Sequence, residues 1–200
     1  MRRSLGLPRL SSSTSGEFLF LGAGFMLIET KAVTQLGLVF GNTWSVVAIA
    51  VSSILVMGFL ANQWVLRGGT VRNGVSFALL AATLVVGFVV TRMSMTSATI
   101  PAPKLVMPLV LTVPLFFAGL IFSSEVGRRG SIGEALSANL FGAMVGGFIE
   151  YNSMYWGFSS LYPLGMALYF AAWLCARHAE SAGPHGVASG VAVLEERVAE

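Results

Sequence analysis

The chain has 200 residues, of which 55% are hydrophobic and only 10% are charged, and its mean hydropathy is +0.78. Because soluble domains carry about 25% charged residues, this composition excludes a free-standing soluble enzyme. The net charge of +3 is small and dispersed, so we expect no nucleic acid among the partners. The lone cysteine, Cys175, cannot form an internal disulfide, and with only His178 and His185 near it no metal site is predicted.

Six apolar stretches have about the 20 residues that a helix needs to cross the hydrocarbon core of a bilayer. Connections rich in glycine and proline separate them. The sequence therefore predicts an all-α integral membrane bundle of about six transmembrane helices, with lipid as its surroundings. A basic, serine-rich tail (1–16) and a flexible C-terminal tail (179–200) flank this six-helix membrane domain (17–178). The predicted spans are Phe18–Phe40, Trp44–Leu66, Val75–Met93, Leu105–Phe122, Ile132–Glu150 and Tyr155–Ala176.

Basic residues predict the orientation, because cytoplasmic loops carry an excess of lysine and arginine. In a six-span chain only Arg92 and Lys104 fall on one side, and Lys31 lies inside a span. Both termini are therefore expected in the cytoplasm of a multi-pass protein of the cell membrane, which we expect to be a bacterial inner membrane. The nine arginines on the cytoplasmic side are Arg2, Arg3, Arg9, Arg67, Arg72, Arg128, Arg129, Arg177 and Arg197.

The first span contains a run of polar residues that includes Glu29, Thr30, Lys31 and Gln35. A charged side chain in the middle of a span costs about 2.5–3.5 kcal/mol on insertion scales. Glu29 and Lys31 are about 200° apart around a helix, so they are poor partners for each other, whereas Lys31 shares a face with Gln35. Each charge is therefore expected to find its partner on another helix or in water.

The fifth span offers candidate partners for these charges. Asn139 and Glu150 are polar, and Asn139 is deep enough to form a hydrogen bond across the bundle. Ala138, Gly142 and Gly146 repeat at four-residue spacing, which favours close packing of a neighbouring helix.

Two roles for the Glu29 and Lys31 pair follow from these patterns. The pair belongs either to a buried polar network that fixes the packing of the bundle or to a site that handles a proton or a small polar ligand. Catalytic residues are not predicted, because the sequence has no aspartate, no CxxC or HExxH motif and no nucleotide-binding glycine loop. We also predict no cofactor and no metal.

Two segments carry a resemblance to a known family. The run FLGAGFMLIETKAVTQL (20–36), continuing through LVFGNTW (38–44), resembles the start of the C-terminal membrane region of bacterial spermidine-synthase-like proteins, which are polyamine aminopropyltransferase-like. The segment ANLFGAMVGGFIEY (138–151) is similar to a later part of that region. The residues that match the recurring polar motifs of the family are Glu29, Thr30, Lys31, Asn139, Glu150 and Tyr151.

The resemblance implies a membrane region that relatives join to a soluble aminopropyltransferase or methyltransferase domain, which binds an S-adenosylmethionine-type molecule. The residues before Glu17 are too few for that domain, so we expect a chain without the catalytic part. The expected function is then a non-catalytic membrane module that anchors or assists such a soluble domain or protein. The alternative is a small transporter or half-transporter for a polyamine, another amine or a proton, which uses Glu29 and Lys31 and works as a homodimer. An intramembrane enzyme is a third, weaker hypothesis.

Overall fold

A computed structural model of the chain describes residues 12–41, 43–69, 72–96, 106–129 and 132–181. Within these ranges the chain is helical and has no strand. Both predicted tails lie largely outside the described residues, as does the connection that contains Lys104. The helices are α1 (Ser12–Phe40), α2 (Trp44–Leu66), α3 (Asn73–Thr96), α4 (Val106–Arg129), α5 (Ile132–Glu150), α6 (Ser153–Trp156) and α7 (Leu161–Ser181), and a 3-10 turn (Phe158–Ser160) precedes the last of them.

Six segments of the described chain are long and apolar enough to cross a membrane, which confirms the predicted class of an all-helical, multi-pass protein. The bounds of α2 and α5 coincide with the predicted spans. Helix α2 begins where Thr43 accepts a hydrogen bond from the amide of Val46, as an N-cap does. Helix α1 begins at Ser12 rather than Phe18, and its first turns pack against α7, where Gly16 faces the thiol of Cys175.

Helix α4 differs from the prediction because it continues past Phe122 to Arg129. The polar residues that favour a connection there form contacts along the helix instead. Ser124 donates to the carbonyl of Ile121, three residues earlier. Glu125 is fully buried and accepts from Arg128 at 3.0 Å, one turn later. The carboxylate of Glu125 is therefore covered by the bundle, while Arg128 at the end of the helix is exposed.

The last span also differs from the prediction, because no single helix covers Tyr155–Ala176. Gly157 has a φ of +82°, in the left-handed region that glycine adopts readily. This residue separates the short α6 from the 3-10 turn, and α7 begins only at Leu161. The chain between α5 and α7 therefore forms a bent connection whose aromatic residues, Tyr155 and Trp156, are exposed.

Helix α1 lies at the centre of the bundle. It packs most extensively against α5 and α7, and also against α4 and α2. Its apolar residues Phe18, Leu21 and Ile28 belong to a core that includes Leu84 of α3 and Leu115 of α4. The helix that is first in the chain is therefore surrounded by helices that come much later in it.

The two ends of the bundle carry different residues. Helix α7 runs antiparallel to α1, because Gly16 of α1 faces Cys175 and Lys31 faces Tyr162. The end that holds the start of α1 is called the Ser15 end, and the opposite one the Phe40 end. Of the arginines whose side chains are described, Arg67, Arg72, Arg128 and Arg177 lie at the Ser15 end and Arg92 lies towards the Phe40 end. This separation agrees with the predicted tally, and which end faces the cytoplasm stays a prediction.

Candidate functional site

Close packing of α1 against α5 positions the candidate site. A Cβ atom added at Gly142 would lie 2.7 Å from the carbonyl carbon of Leu19, and one added at Gly146 would lie 2.6 Å from the carbonyl oxygen of Ala23. Both distances are too short for any side chain, so the two backbones are in direct contact at these glycines. Ala138, the third residue of the predicted stripe, is partly buried against the core. This contact brings the end of α5 beside the polar part of α1.

The first interhelical bond of the site joins α1 to α5. The hydroxyl of Thr30 donates to Oε2 of Glu150 at 3.0 Å, across 120 residues of sequence. Thr30, rather than Glu29 or Lys31, is thus the residue that meets Glu150. A hydrogen bond between membrane helices contributes about 0.6–2 kcal/mol to stability.

Lys31 lies in the interior of the bundle. Its side chain is 2% exposed, and its ammonium group donates to Oε1 of Gln35, four residues later, at 3.0 Å. The same ammonium lies 5.7 Å from the centre of the Tyr162 ring on α7, within the range of a cation–π interaction. An amide and an aromatic ring therefore take the place of a carboxylate around this charge.

Helix α3 holds the Tyr162 ring in place. Phe88 meets the ring edge to face at a centroid distance of 5.9 Å. A Cβ atom added at Gly87 would lie 3.0 Å from the Tyr162 hydroxyl, so the absence of a side chain there makes room for the phenol. Arg92 lies over Phe88 at 5.4 Å. The α3 side of the site is therefore positively charged. We name this group the α1 polar cluster: Thr30, Lys31, Gln35, Glu150 and Tyr162.

Two predicted site residues lie outside the cluster. Glu29 is partly exposed, and no hydrogen bond or ion pair joins it to another described residue. Asn139 packs against Gly22 of α1, where a Cβ atom would lie 2.9 Å from its amide oxygen. The predicted polar set is thus divided between a cluster that is partly to fully buried, a close helix crossing and one half-buried carboxylate.

Several buried polar residues were not predicted as parts of a site, and three of them are large enough to matter for the packing of the bundle. Tyr162 is expected from its position to be an interfacial anchor, yet it is 2% exposed. Glu17 and Glu125 are fully buried near the Ser15 end, and Asn73 of α3 donates to Glu125. The three-residue spacing of Glu125 and Arg128 is the only sequence signal for this second polar region.

The α1 polar cluster is separate from three cavities of the bundle. Three cavities between described residues have volumes of about 360, 470 and 490 Å³, and none of them is lined by a member of the cluster. The described residues also contain no group of three histidine, cysteine or acidic residues that could hold a metal ion. The cluster can therefore join helices and hold a positive charge inside the bundle.

Comparisons with protein families, with curated proteins and with solved structures found no match to this chain. Function is therefore inferred from the residues and their geometry.

Proposed function

We propose that this chain is a non-catalytic membrane module that anchors or assists a soluble domain, of the kind that spermidine-synthase-like proteins join to their membrane helices. The observation that carries the proposal is the packing of the α1 polar cluster. Thr30 is bonded to α5 and Lys31 contacts α7, and this arrangement connects the central helix to two neighbours. Polar residues used in this way specify one arrangement of helices, as a rigid membrane support requires.

The resemblance of residues 20–44 and 138–151 to that family supports the same proposal. These two segments form most of the α1–α5 contact, which is one of the two most extensive helix contacts of the bundle. The proposed partner is a soluble aminopropyltransferase- or methyltransferase-type domain that binds an S-adenosylmethionine-type molecule.

The test begins with the DNA that flanks the coding sequence. We expect a Rossmann-type domain encoded in frame or in an adjacent gene, and we expect that domain to co-purify with the full chain when the two are expressed together in one membrane. A matched control is the same domain expressed with an unrelated six-span protein. The absence of any such domain, or equal recovery with the control protein, would overturn the proposed partner.

Transport is the second candidate function, and one observation favours it. Lys31 is buried, yet no carboxylate of a described residue lies within ion-pair distance of its ammonium. A buried charge without an opposite charge is typical of residues that exchange a proton or an ion. Glu29 has no described bonding partner and is the candidate for contact with an amine.

Flux measurements separate the two functions. Vesicles that contain the purified chain would be assayed for uptake of radiolabelled spermidine and for proton movement. Transport predicts loss of flux in Glu29→Gln and in Lys31→Met with folding intact, while Glu134→Gln, at the other end of the bundle, retains it. A wild-type chain without flux removes this candidate and leaves the membrane module.

A further inference from the structure

A groove between α3 and α7 opens to the outside of the bundle. It has a volume of about 360 Å³, within the range of about 300–1,000 Å³ that is typical of ligand pockets. Small residues of α3 form one wall and aromatic residues of α7 form the other, so a deep apolar channel remains between the two helices. The wall residues are Gly74, Ala78, Ala81, Tyr169, Phe170 and Trp173.

The length of the groove matches one leaflet of a bilayer. Its α3 wall extends from Gly74, at the Ser15 end, to Leu84. Ten residues of helix at 1.5 Å each cover about 15 Å, and half of the hydrocarbon core is also about 15 Å. The groove therefore runs from the membrane surface to the middle of the bilayer.

The volume of the groove decides which kind of apolar partner fits. A helix about 10 Å wide occupies on the order of 1,200 Å³ over 15 Å of its length, which exceeds the total empty space of the groove, about 800 Å³ with its open side included. A single hydrocarbon chain is much thinner and fits the narrow channel. The floor residues Phe77 and Leu84 are buried and apolar, as an acyl chain requires.

At the Ser15 end of the groove, an arginine lies beside each of its two helices. Arg72 directly precedes α3, and Arg177 of α7 lies 4.9 Å from the ring of Trp173, a wall residue. Both arginines are exposed. Of the carboxylates described at this end, Glu17 and Glu125 are fully buried and Glu134 is partly exposed on α5, so Arg72 and Arg177 supply positive charge beside the groove. Basic residues at this level of a membrane protein bind lipid phosphates.

We propose that the α3–α7 groove binds an anionic glycerophospholipid. One acyl chain fills the groove down to Leu84, and the headgroup phosphate lies between Arg72 and Arg177. The lipid belongs to the leaflet at the Ser15 end, which is the cytoplasmic leaflet if the predicted orientation holds. This site is independent of the α1 polar cluster and of the proposed partner domain.

Quenching of Trp173 fluorescence tests the site directly, because this residue lines the groove. The full chain would carry Trp173 as its single tryptophan and would be reconstituted in phosphatidylcholine vesicles with brominated phosphatidylglycerol or, separately, brominated phosphatidylcholine. We expect stronger quenching by the brominated phosphatidylglycerol, with a preference of about five-fold for each arginine engaged. The tryptophans replaced by phenylalanine are Trp44, Trp64 and Trp156.

Charge variants identify the headgroup contact. Arg72→Gln with Arg177→Gln is expected to abolish the preference for phosphatidylglycerol, and Arg72→Lys with Arg177→Lys is expected to retain it. The matched control is Arg67→Gln, which removes an exposed arginine at the same end of the bundle, directly after α2.

A groove variant identifies the acyl-chain contact. Ala81→Phe fills the channel and is expected to lower quenching by both lipids, whereas Ala48→Phe, on the exposed surface of α2, is expected to leave it unchanged. Helical content measured by circular dichroism shows which variants are folded. Equal quenching of the parent chain by the two brominated lipids would overturn the proposal, as would an equal effect of Arg67→Gln and the double variant.

Discussion

The contact between α1 and α5 predicts opposite effects for alanine at two adjacent glycines. A Cβ atom at Gly146 would lie 2.6 Å from the carbonyl oxygen of Ala23 and 3.1 Å from Cβ of Met26. A Cβ atom at Gly147, the next residue, would meet nothing within 4 Å. Gly146→Ala is therefore the perturbation, and Gly147→Ala is its control.

The structure gives the magnitude of this effect. Ordinary van der Waals contact begins at 3.4 Å, so Gly146→Ala forces the two backbones about 0.8 Å apart. Overpacking of this kind costs about 1–3 kcal/mol. Alanine also gains up to about 1 kcal/mol over glycine in a helix, and that gain is common to both variants. The free energy of unfolding of Gly146→Ala should therefore be about 1–3 kcal/mol lower than that of Gly147→Ala.

Titration with sodium dodecyl sulfate in mixed micelles, followed by circular dichroism, measures this difference. We expect Gly147→Ala to unfold at or above the midpoint of the parent chain and Gly146→Ala to unfold well below it. If the two variants unfolded at the same detergent fraction, the direct backbone contact between α1 and α5 would be wrong.

Three further predictions concern the polar contacts and the orientation. Thr30→Val removes the hydrogen bond to Glu150 and should lower the free energy of unfolding by about 0.6–2 kcal/mol in the same titration. Thr34→Val is the control, because no hydrogen bond joins Thr34 to another described residue. Asn73→Ala removes a donor to the buried carboxylate of Glu125 and should cost about 1.5–3 kcal/mol. Reporter fusions to the two chain ends should both be active in the cytoplasm.

A different experimental result would contradict each of these three predictions. A Thr30→Val variant as stable as Thr34→Val would mean that the Glu150 bond adds nothing to stability. An Asn73→Ala variant that unfolds with the parent chain would show that other groups satisfy Glu125. Fusions in opposite compartments would exclude an even number of spans.

Hydropathy predicts the spans well because length and apolarity are local properties of the sequence. The end of α1 and the start of α2 are also determined by the local sequence, since Gly41 has a φ of +91° and Thr43 forms the N-cap of α2. The extension of α4 to Arg129 depends instead on contacts with other helices. Glu125 and Arg128 look like loop residues in the sequence, and only the surrounding helices make a buried position for the carboxylate.

Of the contacts in the candidate site, only those between residues close together in the sequence could be predicted. Contact between Lys31 and Gln35 follows from helical spacing, whereas the bond between Thr30 and Glu150 joins residues 120 positions apart. Tyr162 shows a further limit, because an aromatic residue near a span end can face either lipid or protein. Hydropathy does not distinguish these two environments, which are equally apolar.

The central place of α1 has a consequence for biosynthesis. Thr30 leaves the ribosome 120 residues before Glu150, a delay of roughly 6–24 seconds at about 5–20 residues per second. During that time α5 and α7 do not yet exist, and the ammonium of Lys31 must be sheltered by the insertion machinery or by water at the membrane surface. A nascent chain halted before α5 therefore lacks the partner of Thr30 and the ring that lies beside Lys31 in the complete bundle.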